Sequence, residues 1–162
     1  MTTPIQRIMV YVDGSESSVS AAQYAIVLAS ALGAELYALY VVDTRSLAEL
    51  VRSRIFLESE QEEYRRDLEG DAERYLNHVR ELALQKGVVA RAEKAAGAVN
   101  VEIKAKVAEL GIDLLVIGEL SQIRSRREEL YNEAERAMRT VPCHVLIAKG
   151  EDAIWELYDA LD

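Results

Sequence analysis

Three short stretches of this 162-residue chain have the residue types to do chemistry: Asp13-Gly14-Ser15, Val42-Asp43-Thr44, and Gly118 with the residues after it. A carboxylate accepts hydrogen bonds from a ligand's hydroxyl or amino groups, and a glycine lets a ligand approach the backbone closely. Where such a stretch also leads into a helix, the free amides of the first turn attract anions. Together these point to binding rather than bond-making. No nucleophile with a neighbouring base, and no carboxylate pair, is legible near them. Cys143 is the one cysteine, so an intramolecular disulfide and a cysteine zinc cluster are both excluded. His78 and His144 are too few for most histidine metal sites and read as surface or structural residues.

Alternating periodicities position these stretches. Ile8 to Val12 is a continuous apolar run suited to a strand buried on both faces. Asp13-Gly14-Ser15 breaks it, and Ser17-Ser18 can cap a helix from Ser18 to Leu32, whose apolar stripe is Val19, Ala22, Ile26, Ala29 and Leu32 and whose stop is Gly33. Leu36 to Val42 is the second strand. Thr44 to Leu57 can form a short amphipathic helix through Leu47, Leu50, Val51 and Ile55. A long helix from about Glu58 to Lys86 follows, with Tyr64, Leu68, Ala72, Tyr75, Leu76, Val79, Leu82 and Ala83 along its apolar stripe.

Val88 to Lys94 is a weaker, edge-like strand. The segment 97–100 turns into a helix carrying Val101, Ala105, Val107, Ala108 and Leu110, stopped by Gly111. Asp113 to Gly118 is the clearest buried strand. A helix from about Arg126 to Thr140 comes next, with Leu130, Ala134, Ala137 and Val141 inward, ended by Pro142. Cys143 to Ala148 is the last strand, and residues 151–162 form a helical tail with Trp155 and Tyr158. The expected fold is therefore α/β, an open five-stranded parallel sheet with helices on both faces, formed by residues 1–150, plus a short C-terminal helix in 151–162.

Composition narrows the function classes. The net charge of −9 argues against sequence-independent nucleic-acid binding, which needs lysine and arginine gathered on one face. No apolar run approaches the ~20 residues that span a bilayer. The opening Met1 to Arg7 lacks the layout of a signal peptide, so a cytoplasmic location is expected, with no membrane and no nucleic-acid partner.

Open parallel sheets bind ligands at the carboxyl ends of their strands, near the point where strand order reverses. The three stretches lie at such ends, and here the sequence resembles the universal stress protein family. Ile8 to Glu16 is similar to the family's opening strand and turn. Asp113 to Gly118, followed at the right distance by Pro142 to Ala148, resembles its later strands. Val41-Val42-Asp43 matches the end of its second strand, and Gly97 the glycine after its third. The resemblance covers roughly residues 5–149 and implies a dimer in which the last strands of two subunits pair, here through Val145 to Ala148.

In nucleotide-binding members, the resemblance implies, the aspartate after the first strand and the backbone near the end of the second hold adenine and ribose. Carried over, those are Asp13 and Val42. Asp13 has an equally good plain role, as a turn or helix-capping residue. The family's phosphate loop begins with a glycine, has another three positions on, and, after nine more residues, closes with Gly-Ser or Gly-Thr. Gly118 keeps the first position. Ser121 replaces the second glycine, Tyr131-Asn132 stands where the closing pair belongs, and Glu119 adds a carboxylate. Asn132 is thus the remaining nucleotide position the resemblance marks. Ser125 to Glu128 has the spacing of a capping box, so the last crossover helix is expected to start near Arg126 and to consume amides that would have met phosphate. Arg124, Arg126 and Arg127 are the counterweight, as side-chain phosphate contacts.

The leading expectation is a non-enzymatic, dimeric stress-response protein with a degenerate phosphate loop, acting on an unknown protein partner. The alternative is an ATP- or AMP-binding module, or a slow ATPase, of the same family. The cofactor is left unknown, with ATP or AMP open and tight ATP binding not expected. A phosphoacceptor receiver is rejected, because Asp13 stands without a second acid and Lys149 has no acidic set to serve. The adenine-binding ligase pattern of the related pyrophosphatases would need Ser-Gly-Gly after the first strand, and Asp13-Gly14-Ser15 does not supply it.

Overall fold

Strands too apolar to face water on either side must be sandwiched, and the chain solves this with a parallel sheet between two helical layers. A computed structural model describes residues 3–53, 57–119 and 133–162. The strands are β1 (Arg7–Tyr11), β2 (Glu35–Asp43), β3 (Ala90–Gly97), β4 (Leu114–Gly118) and β5 (His144–Ala148). They form one five-stranded sheet in the order β3-β2-β1-β4-β5, with all four pairings parallel. Strand order reverses at β1, between β2 and β4.

The helices are α1 (Glu16–Leu32), α2 (Thr44–Arg52), α3 (Glu58–Leu84), α4 (Val99–Leu110), α5 (Glu133–Thr140) and α6 (Glu151–Asp159). On one face, Ile8, Val10, Leu36, Ala38, Tyr40 and Val42 of the strands meet α1, α3 and α6. On the other, Met9, Leu39, Val41, Leu115 and Ile117 meet Ile103 and Val107 of α4 and Ala137 of α5. Alternate residues of one strand thus serve opposite layers. At the N-terminal end of the sheet, the Asp113 carboxylate accepts from the amides of Gln6 and Arg7 at 2.8 and 3.0 Å, which fixes the start of β4 beside β1.

The expected element order and the α/β class hold. Four details differ. The cap of α1 is Ser15, whose side chain accepts from the Ser18 amide, rather than Ser17 or Ser18. In α4 the inward stripe is Val99, Ile103 and Val107, while Val101, Ala105 and Ala108 are exposed. β3 starts at Ala90 and runs on to Gly97 in full register with Asp43, two residues later than expected at its start and three at its end. Tyr64, placed on the apolar stripe of α3, is 42% exposed.

The tail packs on its own chain. Ile154 and Tyr158 of α6 are buried against α1 and the α3 layer, and the Tyr158 hydroxyl donates to the Leu82 carbonyl at 2.7 Å. Lys86 donates to the Leu161 carbonyl at 2.9 Å and lies 4.9 Å from the Tyr158 ring centre. Trp155 and Leu157 remain half exposed. No helix among the described residues is long and apolar enough to cross a membrane.

Candidate functional site

The reversal point leaves a notch. β1 pairs with β2 only as far as Tyr11 and Leu39, and Val12 adds one more bond, its amide donating to the Leu39 carbonyl at 2.8 Å. β2 continues past this point as Tyr40 to Asp43, paired among the described residues with β3 alone. On the other side, β4 runs on as Ile117 and Gly118 beyond its last β1 partner, Val116. The gap is therefore bounded by the end of β2, the end of β4 and the turn after β1.

Asp13 leads that turn. Its Oδ1 accepts from the Ser15 amide at 2.9 Å and from the Ser15 hydroxyl at 2.6 Å. The Asp13 amide donates to the Ser18 hydroxyl at 3.3 Å, and that hydroxyl donates to the Ser15 carbonyl at 2.9 Å. One carboxylate oxygen thus builds the turn and the cap of α1. Oδ2 has no hydrogen bond among the described residues, and Asp13 is exposed. The plain role, as a turn and cap residue, uses one oxygen of this side chain.

Val42 is buried, with its side chain in the α1 and α3 layer, and it pairs with Ala96. Because the main chain of Leu39 faces β1, alternation turns the amide and carbonyl of Val41 toward the notch and those of Val42 toward β3. Gly118 lies at the end of β4, where a Cβ would stand 2.5 Å from the Ser17 carbonyl oxygen. The first turn of α1 explains this glycine by itself. Glu119, exposed, follows it. Asn132, Ser121, Tyr131 and the expected helix start near Arg126 lie outside the described residues.

Two tyrosines that motif reading did not single out line the same place. Gly14, at φ +86°, has no Cβ, and one built there would lie 2.6 Å from Tyr75 Cε2. The Tyr75 ring, carried by α3, therefore lies directly on the turn. Tyr40 stacks on it, with ring centres 6.2 Å apart and planes 9° from parallel. Burial, and then the Asp13 carboxylate, push the Tyr40 phenol above its ordinary range. The sequence did not single Tyr40 out, because β2 carries a second tyrosine, Tyr37, in the same apolar run. The described groups offer acceptors and hydroxyls around the turn. Among the described residues no group of three or more His, Cys, Asp or Glu could hold a metal ion.

Comparison with known proteins gives a consistent picture. The model of the universal stress protein family matches residues 4–149. A universal stress protein of Methanocaldococcus jannaschii is 31% identical over 144 residues, covering 89% of this chain and 82% of that one. The structure is similar to that of a universal stress protein of Lactobacillus plantarum, with TM-score 0.72, 20% identity, and coverage of 91% and 100% of the two chains. It is also similar to a universal stress protein family member of Arabidopsis thaliana described with AMP bound, with TM-score 0.64, 17% identity, and coverage of 91% and 94%.

Proposed function

The chain belongs to the universal stress protein family, and from that premise we propose that it is a non-enzymatic, dimeric stress-response protein whose nucleotide site has lost its polyphosphate half. The observation that carries this reading is the end of β4. Gly118 is accounted for by the approach of Ser17, and the next residue is an exposed glutamate, whose carboxylate stands beside the place of the expected phosphates. A carboxylate there opposes a polyphosphate tail, and the sequence that follows lacks the family's second glycine and its closing pair. Asp13 Oδ2 and the main chain of Val41 remain to meet the base and sugar side of a ligand.

The dimer half of the reading rests on β5. Among the described residues it is an edge strand paired with β4, and its Ile147 is 36% exposed. A second copy pairing along that edge satisfies the open ladder and covers the apolar side chains. The partner on which the dimer acts is a protein of unknown identity.

A second reading, a mononucleotide-binding module, is favoured by the relative that holds AMP and by the intact notch between β2 and β4. Isothermal titration with AMP and with magnesium ATP separates the two, alongside sedimentation velocity. The proposed reading expects a dimer and ATP binding no tighter than AMP. ATP binding tenfold tighter than AMP, or a monomer at micromolar concentration, overturns it.

A further inference from the structure

Beyond residues 4–149, the stretch that matches the family, lies α6, and its solvent side differs from that of the other helices. α2, α3, α4 and α5 each carry an ion pair between residues three or four apart: Arg52 with Glu49, Arg65 with Glu69, Lys106 with Glu109, and Arg139 with Glu135. Residues 151–162 hold the carboxylates Glu151, Asp152, Glu156, Asp159 and Asp162, and no lysine or arginine. All are exposed, and none forms an ion pair among the described residues. α1, on which α6 packs, brings no cation, because it has no charged residue from Ser17 onward. Lys86, at the far end of α6, is engaged with the main-chain carbonyls of Asp159 and Leu161. Helix stability does not account for these acids. The dipole favours Glu151 and Asp152 in the first turn but opposes Asp159 at the other end, where no base offsets it.

Trp155 stands among them. Glu151 and Asp159 lie four residues to either side of it and Asp152 three before it, so these side chains share one flank of the helix. Trp155 is 53% exposed, while Ile154 and Tyr158 beside it are buried and the Tyr158 hydroxyl is bonded to Leu82. The flank is thus fixed to the domain by its neighbours and keeps half of its indole in water. An indole face attracts a cation, and the carboxylates around it pair with the same group. Anionic membranes and nucleic acids are repelled by this flank, and so is a second copy of a chain whose net charge is −9. From Glu151 to Asp159 the helix rises about 12 Å, the length of about four residues of extended chain.

We propose that the flank of α6 formed by Glu151, Asp152, Trp155 and Asp159 is the docking surface for the protein partner, and that the partner presents a short segment rich in arginine and lysine. The inference rests on the proposed reading for there being a protein partner, and it supplies that partner's chemistry. It uses neither the β5 edge nor the notch between β2 and β4.

Trp155 is the one tryptophan of the chain, so its fluorescence reports this flank alone. The 162-residue protein is titrated with a blocked peptide of alternating arginine and glycine, and with the same peptide carrying glutamine for arginine. The arginine peptide should change the emission saturably and the glutamine peptide should not. Raising the salt from about 50 to about 500 mM should weaken binding roughly tenfold or more. By isothermal titration, Trp155→Ala should lose about fivefold in affinity, and Glu151→Gln, Asp152→Asn and Asp159→Asn combined about tenfold. Removing as many charges from α3, as Glu60→Gln, Glu62→Gln and Glu63→Gln, should lose less than about twofold. Ile154 and Tyr158 are kept in every variant, and parental melting temperatures report that the tail stays docked. Heat of binding with unchanged Trp155 emission, equal losses from the α3 and α6 substitutions, or equal binding of the glutamine peptide overturns the assignment. None of these results touches the dimer or the nucleotide preference, which sedimentation and nucleotide titration decide on their own.

Discussion

Gly118 and Ser17 approach so closely that a Cβ on residue 118 would stand 2.5 Å from the Ser17 carbonyl oxygen and 2.6 Å from its carbonyl carbon. Neither contact is with a flexible tip, since both atoms belong to the first turn of α1. The turn is itself fixed by Ser15, Ser18 and Asp13, so it has little room to retreat. A residue that sequence resemblance assigns to phosphate is therefore also the point where α1 meets β4.

Gly118→Ala accordingly tests packing rather than ligand binding. Forcing a methyl into a closed contact costs about 1–3 kcal/mol. For a chain of this size that corresponds to a fall in melting temperature of roughly 2–12 °C. The drop should appear in ligand-free protein by differential scanning calorimetry. A variant as stable as the parent would mean that α1 and β4 are not in this contact.

The tail makes a separable prediction. Ending the chain at Gly150 removes Ile154 and Tyr158, each worth about 1.5–3 kcal/mol of burial, together with the Tyr158 hydrogen bond to Leu82. The shortened protein should melt at a temperature lower by roughly 6 °C or more. Its oligomeric state by size-exclusion chromatography should not change, because the buried face of α6 meets its own α1 and α3 layer. Tyr158→Phe in the full chain should cost about 0.5–1.5 kcal/mol.

Much of this was readable in advance, and the failures have physical causes. The buried strands declared themselves as runs such as Leu114 to Ile117, because a strand covered on both faces has no polar positions to confuse the pattern. The face of α4 did not. Its sequence carries apolar residues on two sides, Val99, Ile103 and Val107 on one and Val101, Ala105 and Ala108 on the other, and helical periodicity cannot choose between them. The larger Ile103 settles the choice by filling the sheet-facing layer. At the candidate site, Asp13 and Gly118 were visible because turns have signatures. Tyr40 and Tyr75 were hidden because they look like ordinary stripe residues of β2 and α3. Only the packing of α3 over the sheet brings them to the same turn.

Alkaline pH should weaken the fold before mild acid does. Burial pushes the Cys143 thiol above its ordinary value of 9.0, burial raises the Tyr158 phenol, and the Glu93 carboxylate raises Lys106. A group with a raised folded pKa contributes stability that is complete below its unfolded pKa and is lost as pH rises toward the folded value. The urea midpoint should therefore begin to fall near pH 9, where unfolded Cys143 ionises, and continue through the tyrosine and lysine range. Cys143→Ala should move the onset upward relative to its own midpoint at pH 7. A midpoint flat to pH 11 would contradict the assignment. Glu35 acts oppositely, since the Arg7 side chain lowers it, and its contribution is lost as pH falls below about 4.5.

The Gly14 turn offers a coupling experiment that distinguishes backbone strain from collision. Gly14 sits at φ +86°, and a Cβ there would meet Tyr75 Cε2 at 2.6 Å and Cζ at 2.8 Å. Gly14→Ala therefore carries two costs. The left-handed backbone contributes about 1–2 kcal/mol for any residue with a Cβ, and the collision adds about 1–3 kcal/mol. Combining it with Tyr75→Leu removes the ring but not the strain. The double variant should recover the collision part, giving a coupling of about 1 kcal/mol or more in the stabilising direction by urea denaturation. Additive effects would mean that Tyr75 can swing away from the turn at little cost.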